Sequence, residues 1–479
     1  MEGGQRRGAR VGSRIVVALL LVTVPVATAA GTTGADPGAS RVTDASASGA
    51  SGAVAAEGVR SVAPPDDRPA ITVTQRVALT PDRPESLTVT FRFGLPSNVV
   101  RFSVDRLTRS DVTVVSMSGF ARRDGTYVWD EETATPTVTA RVPVEGRDAE
   151  LSTDSATVDA GSWAVAETFY TEARWRYSEG TSNPAYVGEV EPVGTGAGGD
   201  EMAFLGPHEV HERTVDGQTI RLVVPAATAG VDETAVLDRL AEARRRLGTD
   251  DSPGTVTGIA LPGSVETDVA GYALGDAFYV ADSGRGDRAV TWVHEYVHTE
   301  QQFSDDVAWF TEGSAEYLAN LLAYRDGRRS FESFHRDTET TVDADTAVAE
   351  AESDAVYARG QRVVAALDQR VRAATDGEES VRAVIERLNR ADGPVTTADV
   401  EAAAESVAGT SLDAFFGRYV RGTAVPELPD SEGAYRPVAG TDDRVTTRGF
   451  EPRTPSRNVV SRRSTHSVSF RAYCRESGC

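Results

Sequence analysis

Apolar residues change their spacing along this chain. From Pro69 to about Pro192 the period is two. Ile71 and Val73, then Leu87, Val89, Phe91 and Phe93, alternate with polar residues, and proline, glycine and aspartate interrupt at turn-like intervals. The runs at 112–115, 126–129, 137–142 and 163–170 continue the pattern. Short strands at this spacing predict an all-β sandwich over 68–192. A glycine-rich junction follows at 194–199. Beyond it, 204–205, 219–225, 255–261 and 277–281 read as strands, and 233–247 as a helix closed by Gly248. Val290, Val293 and Val297 recur at helical spacing, and helical periods dominate from about 347 to 419. The expected order is a β-sandwich, an α+β unit over 200–330 and a helical subdomain over 331–428.

The ends differ in composition. Residues 30–67 are mostly small or polar and read as a linker unable to bury enough surface to order itself. Before it, Arg6, Arg7, Arg10 and Arg14 precede an apolar run at 15–26 and an Ala27-Thr28-Ala29 cleavage site, so 1–29 reads as a secretory signal. The run is short for a span of about 20 residues, which leaves only an uncleaved signal as a membrane anchor. The expected location is extracellular or at the cell surface. Net charge is −23, and every basic residue is arginine. Such an acidic, lysine-free chain is similar to proteins of high-salt habitats, and it argues against nucleic acid as a partner. Residues 429–479 read as a disordered tail whose charge reverses: from Thr441 to Cys479 there are eight arginines and four acids. Cys474 and Cys479 are too few for a disulfide framework; a local disulfide and two free thiols both stay open.

Chemistry concentrates at 294–317. His294 and His298 stand four apart, one helical turn, so both imidazoles leave the same face. That spacing suits one zinc ion per chain, with a coordination position left for water. Glu295 can take a proton from that water as general base. A third ligand is needed. Glu312 is the candidate, because 299–311 give room to end one helix and begin another. The alternative is a solvated helix with two surface histidines, against which the valine stripe argues. His208 and His211 stand three apart on an extended segment, which points them to opposite faces as ordinary surface histidines. Trp129, Trp163 and Trp175 read as packing residues rather than a ligand platform.

The two segments together resemble the gluzincin metallopeptidases, whose second helix carries Trp-x-x-Glu-Gly-x-Ala-x-Tyr. Trp309, Glu312, Gly313, Ala315 and Tyr317 stand at those positions. The chain resembles peptidase MA-like gluzincins related to the aminopeptidase N and glycyl aminopeptidase branch; its interval to Glu312 is a few residues shorter than in the aminopeptidase N branch and closer to that of the compact peptidase MA-like relatives. The resemblance implies a thermolysin-like α+β catalytic domain, Zn2+, a peptide or protein substrate, and Glu312 as third ligand. It implies that Glu316 steadies His294 through the other ring nitrogen. It also implies that a strand upstream of the zinc helix pairs with substrate backbone, here through Gly271, Tyr272 and Ala273. Tyr357, in Tyr357-Ala358-Arg359-Gly360, matches a family tyrosine that donates to the developing oxyanion, with Arg359 where the family has lysine. Residues 411–423 resemble the family's closing helix. Aminopeptidases hold the substrate amine with Gly-x-Met-Glu-Asn, which this chain lacks. An endopeptidase is therefore expected, with an aminopeptidase or a non-catalytic surface binding protein as rivals.

Overall fold

The computed structural model describes residues 68–436, except 109–110, 147–156, 264–269, 282–286, 304–306, 341–345, 352–353 and 392–393, together with the strand at 465–468. The expected signal at 1–29, the linker at 30–67 and both cysteines lie outside the described residues. Among the described residues, no helix is long and apolar enough to cross a membrane.

Alternation does what it predicts in the first third. In strands Ala70–Ala78 and Ser86–Gly94 the inward positions Ile71, Val73, Leu87, Val89, Phe91 and Phe93 are buried and their neighbours are not. A five-stranded sheet runs in the order Ala185–Pro192, Ala70–Ala78, Ser86–Gly94, Thr137–Pro143, Thr113–Ser118. A four-stranded sheet contains Glu172–Tyr177, Val99–Arg106, Thr126–Trp129 and Phe120–Arg123. Both contribute to one core, where Phe93 meets Phe102 and Phe120 at centroid separations of 5.3 and 5.5 Å. Trp175 stacks on Tyr186, and the Trp129 indole donates to the Thr133 carbonyl, so both tryptophans pack.

The boundary of this β-rich region differs from the expectation. Gly196–Gly198 is a strand paired with Met202–Leu205, which pairs in turn with Ala164–Glu167. A Cβ at Gly196 would lie 2.6 Å from the Phe204 carbonyl oxygen, and one at Gly198 2.3 Å from that of Met202. These glycines serve close backbone approach rather than freedom, so the β-rich region continues to Leu205 instead of ending at 192.

One further sheet carries the rest. Its strands are β1 (His208–Val215), β2 (Gln218–Pro225), β3 (Thr255–Leu261), β4 (Gly271–Leu274), β5 (Ala277–Ala281) and β6 (Thr465–Val468), in the order β1-β2-β3-β5-β4-β6. β2, β3 and β5 run parallel; β1, β4 and β6 are antiparallel to their neighbours. One face of this sheet packs on the Met202–Leu205 region through Trp163, Phe204, Tyr272 and Tyr279. The other takes helices α1 (Glu233–Leu247) and α2 (Arg288–Glu300). Asp232 caps α1 by accepting the Ala235 N–H at 2.9 Å, and Arg244, Arg245 and Arg246 in its last turn suit the negative end of the helix dipole.

The helical half contains α3 (Ala308–Arg325), α4 (Phe331–Glu339), α5 (Asp354–Ala374), α6 (Val381–Leu388) and α7 (Thr397–Ala408). Order continues past 428, contrary to the expectation of a disordered tail from 429. Glu432–Tyr435 forms a short 3-10 helix; Tyr435 is buried against Phe334, and its carbonyl accepts the Arg325 Nε–H at 2.9 Å. Burial of this ring contributes to holding the segment down. β6 is the second departure.

Candidate metal centre and active site

α2 starts at Asp287, whose carboxylate accepts the Ala289 N–H at 3.0 Å. From Val290 to Glu300 every residue is buried. The valine stripe therefore marks only part of what this helix hides; its polar positions are enclosed as well, and all of them except Glu295 have protein groups as partners.

The two histidines present Nε2 atoms 3.0 Å apart, and Glu312 Oε2 from α3 lies 3.4 Å from each. Donors around a tetrahedral zinc at 2.0–2.1 Å stand about 3.3–3.4 Å from one another. The triangle fits. All three residues are buried.

Both ring tautomers follow from neighbours. The Gln301 amide donates from Nε2 to the Thr311 carbonyl at 3.0 Å and to Ser314 Oγ at 2.8 Å. Its Oε1 therefore faces His298 Nδ1, 2.8 Å away, and that nitrogen carries the proton. On the other histidine, His294 Nδ1–H donates to Glu316 Oε2 at 3.0 Å, while Asn320 donates to Glu316 Oε1 at 2.8 Å. Each ring thus turns an Nε2 lone pair toward the triangle, the usual arrangement for a metal-bound imidazole. Glu316 stands where the sequence expected it. Gln301 was not anticipated; its only signal is an amide three residues after His298.

Glu295 is fully buried, and neither carboxylate oxygen has a hydrogen-bond partner among the described residues. Burial pushes its pKa well up; nearby His294 opposes this, while Glu312 and Glu316 add to it. In the metal-free site burial works against a charge on His294, but contacts with Glu312 and Glu316 outweigh it and raise that ring to about 10; a bound cation would take the place of the Nε2 proton. Three carboxylates crowd two imidazoles in an enclosed space. Such a donor set suits a divalent cation.

Two backbone approaches complete the geometry. A Cβ at Gly271 would lie 2.4 Å from Glu295 Oε1, so β4 rests directly on the candidate base. Gly313 of α3 faces Gly360 of α5, and a Cβ on Gly313 would meet the Gly360 carbonyl carbon at 2.4 Å. Side-chain-free contact lets the helices cross closely. It brings Tyr357, one turn before Gly360, to a ring separation of 6.4 Å from His294.

Other candidates sit elsewhere. His208 Nδ1 is 2.8 Å from the Gly206 carbonyl, and His211 lies 3.7 Å from Glu209; neither belongs to the triangle. The Tyr272 side chain packs between the two sheets, and its hydroxyl donates to Glu167 Oε2 at 3.3 Å. Any substrate contact from Tyr272 is thereby limited to its backbone.

No protein-family model matches this chain, and no curated protein does. Solved structures do. An M1 zinc metallopeptidase from Deinococcus radiodurans gives a TM-score of 0.49 at 16% identity, over 77% of this chain and 96% of that one. A mutant of an M1 zinc metallopeptidase from the same organism, bound to a Tyr-Ser-Ala substrate, gives 0.49 at 14% identity, over 76% and 96%. An aminopeptidase N family protein from Idiomarina loihiensis gives 0.54 at 12% identity, over 74% of this chain and 77% of that one. In fold, this chain is similar to the aminopeptidase N family protein.

Proposed function

We propose that this protein is an exported zinc-dependent peptidase. The observation that carries the reading is Glu295: a buried carboxylate with no hydrogen-bond partner among the described residues, beside three donors spaced for one zinc. Buried carboxylates with a structural role are as a rule given donors, as Glu300 is. His294, His298 and Glu312 would hold the ion. Bound zinc supplies a water activated near neutral pH and a Lewis acid for the carbonyl. Glu295 accepts the proton from the attacking water and returns it to the leaving amine. The Tyr357 phenol donates to the oxygen on which charge develops.

Internal cleavage is the favoured mode. The amine-holding motif of aminopeptidases is absent from the sequence, and β4 already accepts a strand, β6, from the interior of a chain. One observation favours the aminopeptidase alternative: Glu167 and Glu201, from the β-rich region, both act on the Tyr272 hydroxyl and bring carboxylates near that edge. Peptides with free and acetylated N-termini discriminate the two. Equal rates support internal cleavage, and a strong preference for the free amine supports the alternative.

The chemistry is tested by metal analysis and casein hydrolysis with the full chain and Glu295→Gln. The parent should hold about one zinc and hydrolyse casein, and the variant should hold the same zinc with turnover lost. A variant as active as the parent would falsify the assignment.

A further inference from the structure

The basic tail has no part in the site described above. Residues 452–475 contain six arginines and no acid, in a chain of net charge −23. Yet the described strand within this segment has a definite seat. β6 runs antiparallel along β4, with Thr465 opposite Leu274, His466 opposite Ala273, Ser467 opposite Tyr272 and Val468 opposite Gly271. The other edge of β4 is taken by β5. β6 thus covers the edge of β4 that an incoming strand would use.

Two features make this seat consequential. Gly271 is the residue whose backbone rests on Glu295, so the tail crosses at the level of the general base. The surroundings are also acidic. Glu167 and Glu201 both act on Tyr272, the residue opposite Ser467, which complements an arginine-rich segment. An exposed strand edge is a template for any extended chain, and main-chain pairing there does not depend on side-chain identity. Reach is no obstacle. Between Arg436 and Thr465 the chain can extend roughly 90 Å at about 3.3 Å per residue.

We propose that residues 465–468 are a built-in competitor of the substrate: a strand of this chain's own basic tail that occupies the β4 edge and holds the enzyme in a self-blocked state. The inference rests on the peptidase reading above, with β4 as the edge for extended peptides. A tethered segment acts at an effective concentration in the millimolar range. Even weak pairing then raises the apparent KM of an external peptide by about 3- to 10-fold.

The test compares the full-length, zinc-loaded parent with the double variant His466→Pro and Ser467→Pro. Successive residues of a strand point their N–H groups to opposite sides, so adjacent prolines remove a donor toward β4 whichever parity holds. Amides of β4 that face β6 should exchange at least about tenfold faster in the variant. KM for a basic, internally quenched peptide should fall by about 3- to 10-fold with kcat unchanged. A synthetic peptide of residues 459–473, added to the variant, should restore protection and inhibit competitively; the same peptide carrying both prolines should do neither. Equal exchange in the two chains overturns the docking. Faster exchange with unchanged KM overturns the competition. Faster exchange with no hydrolysis by either chain overturns the peptidase reading and the competition with it, leaving only a strand pair.

Discussion

Two glutamates on α2 stand five residues apart and are equally hidden, at 0% exposure for Glu295 and 1% for Glu300. Their surroundings are opposite. Glu300 accepts the Tyr296 hydroxyl at 2.6 Å and the Thr249 N–H at 2.9 Å, is also bonded by Ser252, and has Arg244 at 3.8 Å. Glu295 accepts nothing from the described residues. One carboxylate locks the end of α2 to the loop after α1; the other is left without donors from the described residues. The pair shows that burial alone does not mark a functional acid. The separating observation is whether the protein satisfies it.

The sharpest way to break this contrast is to neutralise each acid in turn. Glu295→Gln should lower turnover by about 10²–10⁴-fold without lowering the melting temperature. Glu300→Gln should keep kcat and melt lower. Activity assays and thermal melts on both variants decide the matter, and an exchange of the two outcomes would sink the comparison. Next in size, Glu300→Ala removes an acceptor from buried donors and should cost about 3 kcal/mol, read from urea unfolding of the zinc-loaded chain. A smaller effect is expected at Gln301, which orients His298. Gln301→Leu should weaken zinc binding by about 10–100-fold in chelator competition, and an unchanged affinity would return Gln301 to a merely structural role. The smallest effect is a slope. In the metal-free chain the folded pKa of Glu295 is raised above the ordinary 4.5. Its contribution to stability is therefore full below that value and lost as pH rises through the raised one. Urea midpoints measured with chelator between about pH 4 and about pH 8 should fall less steeply for Glu295→Gln than for the parent.

Local signals in the sequence carried far. The strands at 255–261 and 277–281 and the helix ending at Gly248 were legible from periodicity and caps. The His294–His298–Glu312 triangle was legible because both histidines share one turn and Glu312 follows within a short interval. What escaped depends on groups distant in sequence. Glu300 meets Thr249 across 51 residues, and nothing in the spacing of either announces the other. The four residues of β6 find β4 from nearly 200 positions away, with too short a run to show a period. Gly196–Gly198 read as a junction because glycine signals looseness and tight backbone contact with the same letter.

The Gly313–Gly360 contact couples two helices, the one that bears Glu312 and the one that bears Tyr357. Because backbone meets backbone there, α5 has no cushion of side chains on which to slide or roll against α3. The phenol of Tyr357 and the carboxylate of Glu312 are therefore geared together, and a shift of one helix must carry the other.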